Sequence, residues 1–134
     1  MSEMINLLIG KMNLTADMIN KKRIFPTVPY FRKNARELIQ AVKHNDINKV
    51  RLLVRYVNRF LVFDYDDCHQ TGLIWACKMN FTNIAIFLVD HYARVNWQDI
   101  GGRTAIYFAV QHSNFTLVKY LLLNLADPGI PTLS

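Results

Sequence analysis

Two cysteines in 134 residues, Cys68 and Cys77, are too few for a disulfide framework and have no metal-ligand spacing. They fit a reducing, intracellular compartment better than a secreted one, the cytoplasm first and an organelle second. Long apolar runs are missing as well. Stretches such as Ile84 to Val89 fall far short of the roughly 20 residues that cross a bilayer, which excludes a membrane-spanning helix. The apolar stretch near Met1 is brief, carries Glu3 and lacks a small-residue cleavage pattern, so no secretory leader is expected. There is no nucleophile elbow, phosphate-binding glycine loop or zinc-protease helix motif, and the expectation is a chain without catalysis, cofactor or metal. His44, His69, His91 and His112 never reach i, i+4 ligand spacing.

Acidic residues are scarce in one half only. Residues 1 to 60 hold 12 Lys and Arg against four acids, a net +8, while residues 61 to 134 hold four against six, a net −2. An acidic partner would therefore approach the N-terminal half. Lys49, Arg51 and Arg55 form a candidate basic docking patch on one helix.

What is present is apolar and periodic. Hydrophobic residues make up 51% of the chain, enough to build a core. Thr71 returns as Thr104, Leu73 as Ile106, Ala76 as Ala109, Ile84 as Leu117, Leu88 as Leu121 and Ala93 as Ala126, each 33 positions later. A fixed period of this length predicts stacked two-helix units, none of which can bury its apolar face without a neighbour.

The spacing predicts helix pairs over Asn34 to His44 with a second helix through Tyr56, Thr71 to Met79 with Thr82 to His91, and Thr104 to His112 with Phe115 to Asn124. Asn34 and Glu37 form a capping-box pattern, and Thr71 and Thr104 are expected N-caps. Val50, Leu53, Val54 and Val57 mark the apolar face of the first outer helix. The first unit aligns with the second at an offset of 35, which places two additional residues between Arg59 and Gln70. Asn96, Asp99 and Gly101-Gly102 predict a hairpin between Ala93 and Arg103, and Asp66 and Asp67 read as hairpin turn residues. Upstream, Met1 to about Asn20 is expected to form a short amphipathic helix. Pro26 and Pro29 make the following segment an extended connector, so residues 1–33 form a basic extension and 34–134 the repeat domain.

These residues resemble the ankyrin-repeat family. Thr71-Gly-Leu-Ile-Trp-Ala-Cys77 and Thr104-Ala-Ile-Tyr-Phe-Ala-Val110 stand where that family has Thr-Pro-Leu-His-x-Ala-Ala. Ile84 to Val89 and Leu117 to Leu122 match its Val-Val-x-Leu-Leu-Leu, and Ala93-Arg-Val-Asn96 and Ala126-Asp127 its Ala-Asp-Val-Asn. The resemblance covers residues 34 to about 129 and implies an all-α solenoid of antiparallel helix pairs with connecting hairpins, which binds macromolecules. The helix-joining glycine is replaced by Asn45, Asn80 and Ser113, of which Asn tolerates left-handed backbone. The second family glycine is Val57, Tyr92 and Leu125, where a positive φ costs of order 1 kcal/mol or more, so those turns must relax or be held by extra contacts.

The resemblance places partner contact at hairpin tips and exposed inner-helix positions: Asp67, Cys68, Gln70, Lys78 and Met79, then Ile100, Gly101, Arg103, Gln111 and His112. Trp75 and Phe108 share one repeat position and are expected to pack between repeats. Leu117, Val118, Leu121 and Leu122 form an expected open hydrophobic end, because the third repeat shows no polar conversion. The expected role is a small adaptor or structural subunit of a larger complex. A basic module for an anionic polymer, such as nucleic acid or an acidic protein tail, or for a membrane surface stands second, and a regulator that blocks one enzyme third.

Overall fold

A computed structural model of the chain describes residues 36–133. The expected N-terminal helix, the proline connector and the Asn34 cap lie outside the described residues. Among the described residues six α-helices follow in pairs: α1 (36–43) with α2 (Ile47–Leu52), α3 (Gly72–Lys78) with α4 (Thr82–Asp90), and α5 (Ala105–Gln111) with α6 (Phe115–Leu123). Inner helix α3 packs on α5, and outer helix α4 packs on α6 and on α2. The core is a continuous apolar layer between the two rows, with Leu38, Val42, Leu73, Ile74, Ile84, Leu88, Leu117 and Leu121 essentially inaccessible.

Each helix is too short to hold itself in water, so its ends carry much of the local specification. Asp46 accepts from the Lys49 amide at 3.1 Å, Thr71 from Ile74 at 3.2 Å and Asn114 from Leu117 at 3.1 Å. Thr104 takes the same extended backbone as Thr71 but makes no side-chain cap bond, contrary to expectation. The Tyr107 amide turns to the Thr104 carbonyl instead, at 3.1 Å.

Five helix ends among the described residues close with the same two bonds around one left-handed residue. After α1, Asn45 (φ 55) donates to Val42 and Asp46 to Ala41. Asn80 (φ 61) and Ser113 (φ 52) repeat this after α3 and α5, where the following amides return to Ala76 and Ala109. After α4 and α6 the left-handed residues are Tyr92 (φ 71) and Leu125 (φ 70), so these two side chains do occupy the costly conformation. The Ala93 and Ala126 amides then reach the Leu88 and Leu121 carbonyls, both at 3.0 Å.

Val57 behaves differently. The helix widens into a π-turn over Leu53–Val57, and the Asn58 amide reaches the Leu53 carbonyl at 2.9 Å with no residue at positive φ. A β-branched side chain is the least suited to left-handed geometry, and the π-turn makes the equivalent bond without it. As a result Val57 is half exposed and leaves the apolar face that Val50, Leu53 and Val54 keep. Asn58 then stands where later repeats have Ala93 and Ala126. Its Oδ1 caps the Phe60 amide at 2.9 Å and starts a 3-10 helix over Arg59–Phe63, in the connection where the two additional residues were expected.

The connecting hairpins are tight turns with no strand among the described residues. One antiparallel bridge, Tyr65 to Thr71, closes the first, and the Asp99 amide donating to Arg103 at 2.9 Å closes the second.

Candidate partner-binding surface of loop tips and inner helices

Asp66 and Asp99, 33 residues apart, build the two tips. The Asp66 carboxylate accepts from the amides of Cys68 (3.0 Å) and Gln70 (2.9 Å) and from Trp75 Nε1 (2.8 Å), which ties the tip to inner helix α3. Asp99 accepts from the amides of Gly101 and Arg103, both at 2.9 Å, and from Arg103 Nε at 3.1 Å. Gln70 Nε2 reaches it from the preceding tip at 3.0 Å. Burial pushes the Asp99 carboxyl upward, but the bonds from Gln70 and Arg103 and the Arg103 charge outweigh it and hold the group below its ordinary value.

Successive tips are also joined through their main chains. The Ile100 amide donates to the Cys68 carbonyl at 3.0 Å, and the Leu133 amide to the Gly101 carbonyl at 2.9 Å. Gly102 lies under that second bond at φ 77, and a Cβ there would stand 2.9 Å from the Leu133 nitrogen. Beside the tips, Trp97 stacks on Tyr65 with ring centroids 5.1 Å apart and donates through Nε1 to the His69 carbonyl at 2.9 Å.

The inner helices carry a second set of groups. Two ammonium groups lie over the half-exposed Trp75 ring, Lys43 at 4.2 Å and Lys78 at 4.5 Å from its centroid, which makes this position cationic as well as aromatic. Phe108, at the same repeat position, is buried with Arg103 over its ring. His112 Nε2 lies 2.7 Å from the Lys78 carbonyl, and Gln111 Nε2 donates to Tyr107 at 3.1 Å.

Of the expected contact residues, Asp67, Cys68, Met79, Ile100, Gln111 and His112 are exposed along this surface, and Lys78, Gly101 and Arg103 are half buried. Gln70 is a correction: it is buried, and its amide is spent on Asp99, which makes it a strut between tips. Lys49, Arg51 and Arg55 are exposed along the first outer helix and its π-turn, apart from this surface, with the Arg55 guanidinium 5.6 Å from the Phe87 ring centroid.

The open hydrophobic end also needs correcting. Leu117 and Leu121, four residues apart on α6, are fully buried. Val118 and Leu122, one step round the helix, are the accessible pair, with Leu122 45% exposed. Trp97, Tyr65 and the Lys43–Trp75–Lys78 cluster were missed from sequence; the recurrence of Asp66 as Asp99 was the available pointer to that corner.

Burial pushes the Cys77 thiol up to about 12, which removes it as a nucleophile, whereas Cys68 is exposed at a tip. Among the described residues no group of three His, Cys, Asp or Glu is placed to hold a metal ion, and no helix is long and apolar enough to cross a membrane.

The repeat geometry has counterparts in known sequences. A family model for ankyrin repeats, in three copies, matches residues 33–132. An ankyrin repeat protein of Acanthamoeba polyphaga mimivirus is 37% identical over 62 residues, 46% of this chain. The match spans only 15% of the length of that curated relative. With three matched copies laid out as three helix pairs, the chain belongs to the ankyrin-repeat family, whose repeats are in general protein–protein interaction modules.

Proposed function

We propose that this chain is a small non-catalytic adaptor or complex subunit that holds a protein partner along its loop tips and inner helices. The observation that carries the reading is the division of labour at the second tip. Asp99 is buried and saturated by internal bonds, while Ile100 beside it turns an apolar side chain outward at 63% exposure. Polar groups are spent on holding the tip, and apolar surface is left for contact. Exposed anchors on a fixed backbone are what interface cores are made of.

A basic docking role for Lys49, Arg51 and Arg55 stands second. It is favoured by their exposure and by the absence of an ion pair to any of the three among the described residues. Affinity capture with the full chain separates the two readings. Ile100→Glu combined with Met79→Glu should abolish retention of a protein that wild type retains, and that retention should persist at high salt. Retention lost instead with Lys49→Glu, Arg51→Glu and Arg55→Glu, and falling steeply with salt, would transfer the function to the basic helix.

A further inference from the structure

We propose that Lys43, Trp75 and Lys78 form a recognition site for carboxylate side chains, so that the partner meets the inner helices with an acidic peptide segment. The inference rests on the adaptor reading and names the chemistry of what that surface holds. Lys43 on α1, Lys78 on α3 and Gln111 on α5 occupy one repeat position, 35 and then 33 residues apart. The stacking of repeats therefore brings lysines from two different repeats over a single ring, at 4.2 and 4.5 Å from the Trp75 centroid.

The ring is held from its edge, where Nε1 donates to Asp66 at 2.8 Å, and the Lys78 carbonyl lies 2.7 Å from His112 Nε2. The ammonium groups are not neutralised in the same way. Sharing one ring, they stand within about 9 Å of each other, inside a Debye length at moderate salt, and repel. Neither has an ion pair among the described residues. The only acid described on the three inner helices is Glu37, against Arg36, Lys43 and Lys78. Asp66 is already spent on the indole and on the amides of Cys68 and Gln70. An anion set against both lysines relieves their repulsion and accepts charge-assisted bonds from donors that the ring leaves free.

Carboxylates on a peptide fit this site better than the phosphates of a nucleic acid strand. Single strands gain much of their hold by stacking bases on aromatic faces. Here ammonium groups lie over the Trp75 face, and exposed Asp67 at the adjoining tip opposes a continuing run of phosphates. Met79, next to Lys78, and Ile100 at the following tip are exposed apolar contacts that peptide side chains can use.

Trp97→Phe, which keeps a ring beside Tyr65, leaves Trp75 as the sole indole of the full chain and makes its emission the readout. At low ionic strength a short glutamate-rich peptide should shift that emission saturably, and its glutamine counterpart should not. Lys43→Gln with Lys78→Gln should raise the dissociation constant about five- to tenfold, whereas Lys43→Arg with Lys78→Arg should preserve binding. If circular dichroism shows the glutamine pair misfolded, Lys78→Gln alone is read instead, with an expected rise of about threefold. A glutamate peptide that binds no better than its glutamine counterpart overturns the proposal. So does affinity lost with Lys49→Gln, Arg51→Gln and Arg55→Gln instead, or an oligothymidine strand that moves Trp75 emission at lower concentration than the peptide. These failures are distinct from failure of the adaptor reading. A protein retained by wild type and lost with Ile100→Glu and Met79→Glu, yet indifferent to Lys43→Gln and Lys78→Gln, is held by the tips without this cluster.

Discussion

Val57 and Tyr92 stand at the same place in successive repeats, and only Tyr92 enters the left-handed region, at φ 71. Both turns deliver the same bond, from the next amide to the carbonyl of Leu53 or Leu88. Tyr92 and Leu125 hold a conformation that glycine adopts freely, and both side chains are exposed, so little packing depends on them. Tyr92→Gly and Leu125→Gly should each stabilise the fold by roughly 0.5–1 kcal/mol. Val57→Gly, inside a π-turn, should destabilise it by a similar amount. Urea denaturation of the three variants checks the opposite signs.

Asp99 should dominate the acid sensitivity of the second tip. Its carboxyl is held below the ordinary carboxylate value, so the folded state binds fewer protons than the unfolded chain across that range. The contribution is complete above the unfolded value of about 3.9 and is lost as pH falls through the folded value. Asp99→Asn should flatten the fall in melting temperature below pH 4. Asp99→Ala, which strands the Gln70 amide and two backbone amides, should cost roughly 2–3 kcal/mol at neutral pH.

The two thiols should separate cleanly by reactivity. Cys68 is exposed at a tip, and the Cys77 thiol is pushed up to about 12 by complete burial. Titration with a disulfide reagent at neutral pH should find one reactive thiol in the folded chain and the second only on denaturation. Two fast equivalents in native buffer would show that the α3–α5 contact opens far more readily than its packing implies.

Asn114 joins a cap to a cross-repeat bond. Its Oδ1 caps α6, while its Nδ2 donates to Asn80 Oδ1 at 2.8 Å and to Thr82 Oγ1 at 2.7 Å. Asn114→Ala should cost about 1–2 kcal/mol. A double-mutant cycle with Thr82→Ala should return a coupling of roughly 0.5–1 kcal/mol, measured by denaturant midpoints.

The helix pairs were legible because period and helix-face spacing both survive in the letters: Ala76 and Ala109, Leu88 and Leu121 mark the same turns in sequence and in space. The left-handed Asn45 and Asn80 were legible for the same reason, since residue type and backbone geometry are directly linked there. Three kinds of detail were not. Leu117 and Leu122 are equally apolar, and composition does not say which side of α6 meets α5 and which meets solvent. Gln70 looks like any exposed tip residue until a carboxylate 29 positions away claims its amide. Val57 announced a difficult turn, but the π-turn that resolves it depends on Asn58 reaching back to Leu53, a bond no propensity encodes. Within the candidate surface, exposed positions such as Ile100 and Met79 could be read from register, whereas the aromatic corner of Tyr65 and Trp97 needs two loops brought together.

The main-chain bonds between successive tips have a bearing on recognition that their lengths alone do not convey. Loops that carry contact residues usually fluctuate in the free protein, and a ligand must freeze them, surrendering affinity in lost entropy. Here the amides of Ile100 and Leu133 are already tethered to the tip before them, and carboxylates at the base fix the turn. The ordering is completed when the chain folds, not when a partner arrives. A ligand meets a pre-organised edge, and the same stiffness narrows its choice, because loops that cannot adjust accept only partners whose shape already matches the spacing of the repeats.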